Sequence, residues 1–356
     1  MPGWRTHRKL VIISVDDYGN VRLDSRKARK KMDYAGIKVH SRFDAYDALE
    51  TREDLESLYD VLTSVKDKVG NNAVFTPFSL PCNINFEKML KENIKHYVYE
   101  QLPETYSKLS SRYPKSYEGA WKLWQEGIRQ GLMIPQFHGR EHLNVHVLND
   151  LIKNKSQNLE FCFNLRSYVT IPEHKNYDSG WTAAFDTRSG EDLTSINSIV
   201  EEGLKLFEKV FDFKSISFTP PTQRFPSSDY NFLNSLGIEA IHRPFYEVNL
   251  EGKQKINWLK KESDCLTTIV RNIVFEPTED LNFDSVGKAL RQVSWAFKMK
   301  KPAHISSHRV NFVGQIDERN RKNGLYKLKS LLKKIVKRWP DVEFISGPQL
   351  VRELRK

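Results

Sequence analysis

The segment VIISVDDYGN, residues 11–20, runs from apolar residues straight into two adjacent aspartates, Asp16 and Asp17, and then into a Tyr-Gly-Asn turn. Neighbouring carboxylates repel each other, so a strand that ends in a pair of them either uses one to cap the turn or has a cation to offset the repulsion. Further along, HGREH (138–142) spaces His138 and His142 four residues apart, and Gly139 between them makes a tight turn easy. Two neutral imidazoles and one carboxylate are a common protein share of a catalytic divalent site, which keeps open positions for water and substrate. One aspartate would bind the ion. The other, with the cation offsetting the mutual repulsion, is free to act as a base on water. Side chains alternate between the faces of a regular strand, so both carboxylates reach one place only where the strand gives way to the turn. In AHISSH (303–308), His304, Ser306 and His308 share a face. His308, last on the strand, is placed to protonate a leaving group, whereas His304, two rungs deeper, reads as a hydrogen-bonded core histidine. His146 lies within a helix and reads as structural or as support behind the ligands.

These groups need elements that bring them together. Strand-like segments at 73–78, 132–138, 159–165, 215–219, 238–242, 267–275, 303–308 and 342–346 alternate with helical patterns at 52–68, 143–154, 191–211, 227–236, 284–299, 318–338 and 347–354. That alternation predicts parallel βαβ units. Seven or eight of them suit an α/β fold built as a single distorted (β/α) barrel over residues 1–356, one domain, with a helical insertion near 83–117. Catalytic groups of such barrels collect where the strands end, because the βα loops open on that face. Asp16 and Asp17, His138, His308 and the Thr219-Pro220-Pro221 run all end strands. Residues 166–190 read as a long surface loop whose Tyr168, Tyr177, Trp181 and Phe185 could stack on sugar rings or simply pack. A turn-rich excursion spans 244–264.

Composition narrows the setting. The 356 residues hold three cysteines, Cys82, Cys162 and Cys265, too few and too scattered for a disulfide framework or a CxxC metal pair. They read as buried thiols in a reducing compartment. Nothing approaches the roughly 18 apolar residues of a membrane helix, and the N-terminal apolar run is too short for a signal peptide, so a cytoplasmic location is expected. The net charge of +11 suggests attraction to polyanions: acidic glycans, nucleic acid or a membrane surface. Much of it lies in RKARKK (26–31) and in a helix at 319–339 that sets Leu325, Leu328, Leu332, Ile335 and Trp339 on one side; a solvated basic face explains both.

Taken in order, the segments resemble those of the NodB-type polysaccharide deacetylases, metal-dependent carbohydrate esterases with a distorted (β/α) barrel. SVDDYG looks like that family's Thr-Phe-Asp-Asp-Gly, AVFTPF like the strand that follows it, and IRQGLMIPQFHGREH like its helix, strand and His-(Ser/Thr)-x-x-His ending. SFTPPTQRFPSSDYNFLNSLGIEAIHR is similar to its Arg-Pro-Pro segment, HISSH to its Leu-x-His strand, and EFISGPQLVREL to its closing strand and helix. The resemblance implies that Asp16 is the catalytic base, that Asp17, His138 and His142 hold one divalent ion (zinc, with cobalt or nickel as alternatives), and that His308 is the general acid. Thr219, Pro220, Pro221 and Arg224 would face substrate. Thr219 stands where the family has an arginine that orients the base, and Arg224, five residues on, is the candidate substitute. The reading that follows is hydrolysis of an N-acetyl or related acyl group on a glycan, with an acidic glycan preferred by charge. Cleavage of a non-glycan amide, and a silent barrel that binds acidic polysaccharide or nucleic acid, are the alternatives.

Overall fold

Strand β1 (Lys9–Tyr18) is buried from Leu10 onward, as its apolar run requires, and the sheet is assembled around it. The chain is described by a computed structural model that covers residues 3–170, 181–186, 190–226, 229–248, 254–261 and 266–356. The remaining strands, in chain order, are β2 (Phe75–Ser79), β3 (Cys82–Ile84), β4 (Tyr99–Gln101), β5 (Gln136–Phe137), β6 (Ser217–Phe218), β7 (Ala240–His242), β8 (Tyr246–Val248), β9 (Gln254–Ile256), β10 (Lys260–Lys261), β11 (Thr267–Ile269), β12 (Ile273–Val274), β13 (Ala303–His308) and β14 (Val342–Phe344). The main sheet runs β10-β11-β7-β6-β5-β2-β1-β13-β12, with β14 pairing the start of β1. Apart from antiparallel β10, its ladders are parallel.

The expected single strand 267–275 is two. β11 pairs with β7, β12 pairs with β13, and only Val270-Arg271-Asn272 separates them. One extended stretch therefore changes partners midway, and this change curls the sheet round into a distorted barrel with helices outside. The interior ladder ends are short: β5 keeps two residues because Pro135 removes a donor just before it. LEFCFNL, which reads as a strand, is instead the helix Gln157–Asn164. Ser156 Oγ accepts from Leu159 N at 3.2 Å, and Leu159, Cys162 and Phe163 bury one helical face. The insertion at 83–117 contains the helices Phe86–Lys91 and Leu102–Arg112, but also the β3–β4 hairpin; strands of three residues are too short to show alternation. Tyr168, Trp181 and Phe185 are buried in the main core, so packing, not ring stacking on a ligand, occupies them. Tyr177 lies outside the described residues, as does Cys265. Cys82 and Cys162 are buried free thiols.

The 30-odd residues between β1 and the helix Arg52–Thr63 are held by a charged knot. Arg309, fully buried, donates to Asp47 Oδ1 at 3.1 and 2.7 Å, to Glu50 Oε2 at 3.1 Å and to the Asn20 carbonyl at 2.5 Å. Burial pushes the Asp47 carboxyl up to about 6, with Arg309 opposing. Removing the cation leaves two acids buried without it, so Arg309→Met is expected to cost about 3–5 kcal/mol. Urea unfolding at neutral pH checks this; a midpoint equal to that of the wild type would show that the knot adds no net stability. The helix Glu318–Arg338 buries Leu325, Leu328, Leu332 and Ile335 and exposes Lys333, Lys334 and Lys337. No helix among the described residues is long and apolar enough to cross a membrane.

Candidate metal centre

Both aspartates reach the mouth because β1 breaks its alternation there. Its register with β2 shifts between Val15 and Tyr18, and Asp17 takes φ = 75°. A bulge inserts one residue into a ladder and re-aims the side chains around it; left-handed φ is tolerated by aspartate better than by most residues. Asp16 and Asp17, both buried, thus line one cavity of about 430 Å³ together with His138, His142 and His308. Gly139 has φ = 132°, a conformation closed to side-chain-bearing residues, and its turn folds His142 back beside His138. The ring centroids are 5.1 Å apart.

Asp17 Oδ1 lies 3.2 Å from His138 Nε2 and 3.0 Å from His142 Nε2. One donor atom from each residue falls within 4.8 Å of the others. Ligand bonds of about 2.0–2.1 Å around a tetrahedral ion put neighbouring donors about 3.3 Å apart, so the spacing suits a small divalent cation. The hydrogen bonds around the cluster are compatible with one as well. His138 Nδ1 is 2.6 Å from the Thr219 carbonyl, which only accepts, so that nitrogen carries the hydrogen. A cation held between Nε2 and the Asp17 carboxylate would meet the lone pair that a neutral ring turns toward it. Burial lowers the His142 pKa in spite of Asp17, which favours its neutral form. Burial raises Asp17, but the two histidines more than offset it and hold the carboxyl well below its usual range. The Asp17, His138 and His142 cluster can bind a metal ion.

Asp16 faces a different partner. Arg271 donates to its Oδ2 at 2.6 Å and its Oδ1 at 2.8 Å, to Thr219 Oγ1 at 2.8 Å and to His242 Nδ1 at 3.0 Å. Burial pushes the Asp16 carboxyl up, and Arg271 brings it below the ordinary value. Arg271 sits where β11 gives way to β12, and so is free of the ladder that would fix its direction. On the adjacent strand, β13 sets His308 beside Asp16 in register. His308 Nδ1 lies 2.7 Å from Glu276 Oε1, and Glu276 Oε2 receives Arg42 at 2.8 Å and Asn311 Nδ2 at 2.6 Å. Burial would depress the imidazole, but Glu276 and the two aspartates raise it to about 9.

The other expected residues divide. Thr219 serves both neighbours, through its carbonyl to His138 and its hydroxyl to Arg271. Thr219 and Pro220 line the cavity, and Pro221 is buried. Arg224 is not at Asp16: its side chain is 54% exposed and its nearest acid is Asp186, at 3.9 Å. Arg271 holds the place at Asp16 for which Arg224 was the candidate. His304 is a core histidine bonded to Ser14 Oγ at 2.7 Å, and His146 lies outside the cluster. Arg271 and Glu276 went unread. The signal for them was an arginine inside an apolar strand and an acid just past its end.

No protein-family model matches the chain, and no curated protein matches it. Among solved structures, it is similar to a protein provisionally designated a glycoside hydrolase/deacetylase, from Parabacteroides distasonis. The TM-score is 0.54 at 10% identity, covering 100% of this chain and 73% of that one. It is also similar to a provisionally designated polysaccharide deacetylase from Mycobacterium smegmatis, with TM-score 0.50 and 10% identity over 99% of this chain and 93% of that one. At this identity the likeness is one of fold: the chain is an α/β barrel of the architecture those two proteins share.

Proposed function

We propose that residues 1–356 form one catalytic unit, a metal-dependent hydrolase that removes an N-acetyl or related acyl group from a glycan. The observation that carries the reading is the convergence, in one cavity, of the Asp17/His138/His142 cluster with an arginine-paired carboxylate and a histidine supported by an acid. The fold is shared with proteins designated deacetylases, and this supports the choice of substrate class. Asp17, His138 and His142 would hold the ion, zinc by their donor set, with cobalt or nickel as alternatives. Such an ion, when bound, polarises the amide carbonyl and lowers the pKa of water.

The chain's own groups do the rest. Asp16, kept ionised and aimed by Arg271, accepts a proton from the attacking water. His308 donates its proton to the amine nitrogen as the carbon–nitrogen bond breaks and the carbon–oxygen bond is made. Glu276 keeps that proton on His308 through neutral pH. Because the folded pKa is raised, the stabilisation from the His308–Glu276 pair is complete below about 6.5, the free-histidine value, and is lost as pH rises through about 9. Glu276→Gln is therefore expected to move the alkaline limb of kcat down by at least about one pH unit; a limb that stays in place would remove Glu276 from this role.

The deciding assay measures acetate and free amine released from acetylated oligosaccharides and from a panel of acylated small amides, before and after chelation and after zinc is restored. Release from the oligosaccharides, lost on chelation and regained with zinc, is the expected result. Release confined to small amides would replace the glycan by another amide. Salt-sensitive polyanion binding with no release from any substrate would favour a silent barrel.

A further inference from the structure

The cavity that holds the metal cluster also contains a cation that the hydrolysis scheme does not use. Arg22 is 6% exposed and lines the same cavity as Asp17 and His142. Among the described residues its Nε has no hydrogen-bond partner. Its ion pair is with Asp44, at 3.8 Å, beyond hydrogen-bond length. Asp44 is already engaged, since its Oδ1 receives Thr170 N at 3.0 Å and its Oδ2 receives His40 N at 3.3 Å. The guanidinium carbon lies 5.3 Å from the centre of the Phe43 ring and 5.4 Å from that of Tyr168. The two rings hold the group in place, and its Nε–H is left without a partner among the described residues.

A buried guanidinium with an unused donor is costly to keep. It persists most readily where an incoming group completes it. We propose that Arg22 binds a carboxylate carried by the substrate sugar, close to the amide that is cleaved, and so selects acidic N-acyl amino sugars over neutral ones. The assignment rests on the hydrolase reading above and narrows its substrate class. A carboxylate fits better than a phosphate. The planar fork can hold either, but Asp44, 3.8 Å from the guanidinium, already supplies one negative charge beside it and so disfavours a dianion. Arg22, Asp17 and His142 line one cavity, which sets the carboxylate and the scissile amide on the same sugar or on adjoining ones.

Calorimetry on the full chain, stripped of metal by chelation so that no turnover occurs, tests this. The probes are N-acetylglucosamine, its uronic acid with the carboxylate on the ring, and N-acetylmuramic acid with the carboxylate on a lactyl arm. The wild type is expected to bind one of the acids about 10–100-fold more tightly than the neutral sugar, the range for hydrogen bonds to a charged group, and which acid wins fixes where the carboxylate sits. Arg22→Met should bring the ratio to about one. Arg22→Lys, which keeps the charge but loses the fork, should restore part of it, and serves as the readout if the methionine variant does not fold. Equal binding of acid and neutral sugar by the wild type, or a preference that survives Arg22→Met, would overturn the proposal. An Arg22-dependent preference without acetate release from any sugar once zinc is restored would uphold the carboxylate site and count against the hydrolase.

Discussion

Asp17→Asn is expected to abolish stoichiometric metal binding and amide hydrolysis together, while leaving the barrel folded. Asparagine is close to aspartate in shape and shares its tolerance of left-handed backbone, so the φ of 75° at this position and the bulge in β1 should survive. What is lost is the one anion in the cluster. Its amide oxygen carries no charge to balance a divalent ion, and the lone pair of His138 Nε2, turned inward because Nδ1 is committed to the Thr219 carbonyl, no longer has a cation to share. Changes one shell further out cost about 10–100-fold in affinity, so loss of a ligand should exceed that. Metal content after dialysis, read beside the urea midpoint, is the check. Asp17→Ala makes a useful contrast: it removes the same ligand but adds about 1–2 kcal/mol of left-handed strain, and should lose stability as well as metal. A full equivalent of zinc retained by Asp17→Asn would remove this cluster as the metal site.

Much of the site is legible in the sequence, because a barrel's rule of position applies to single residues. Asp16, Asp17, His138 and His308 each close a strand, and the structure brings them into one cavity. The need for a break in β1 also followed from alternation alone, although not its form. Arg271 could not be reached this way. Its place depends on a stretch that leaves β7 for β13 in mid-course, and the apolar pattern of TTIVRNIVF is the same whether the ladder is continuous or split. Arg224 was the local choice for a partner to Asp16, being near Thr219 in the chain, but proximity in sequence says nothing about a rim built from separate staves. Leu159–Leu165 failed for a related reason. A short apolar run carries both periods, and the cap at Ser156 settled it as a helix. Arg22 was hidden differently: nothing in its neighbours marks a buried cation, which emerges only when Phe43 and Tyr168 close on it.

Arg271→Met is expected to lower kcat by about 100–10,000-fold, the usual worth of a positioned acid–base group, and to change the shape of the pH profile as well as its height. Burial drives the Asp16 carboxyl toward its protonated form, and Arg271 is the largest influence in the other direction. The folded pKa is therefore depressed, so the pair's stabilisation is present above the ordinary carboxylate pKa and is lost as pH falls through the folded value. Without the guanidinium, Asp16 holds its proton to higher pH and cannot accept one from water. The acidic limb of kcat should then move upward, and part of the missing rate should return at alkaline pH. Stability should fall as well, by about 3–5 kcal/mol for a buried pair broken on one side, so the profile must be measured where the variant is still folded. Arg271→Lys keeps a positive charge but cannot reach both Asp16 oxygens, Thr219 and His242 at once; it should recover the position of the limb more fully than the rate. That split separates the charge on Asp16 from its orientation. A variant whose rate falls with no movement of the acidic limb would mean that Arg271 supports the barrel wall and not the base.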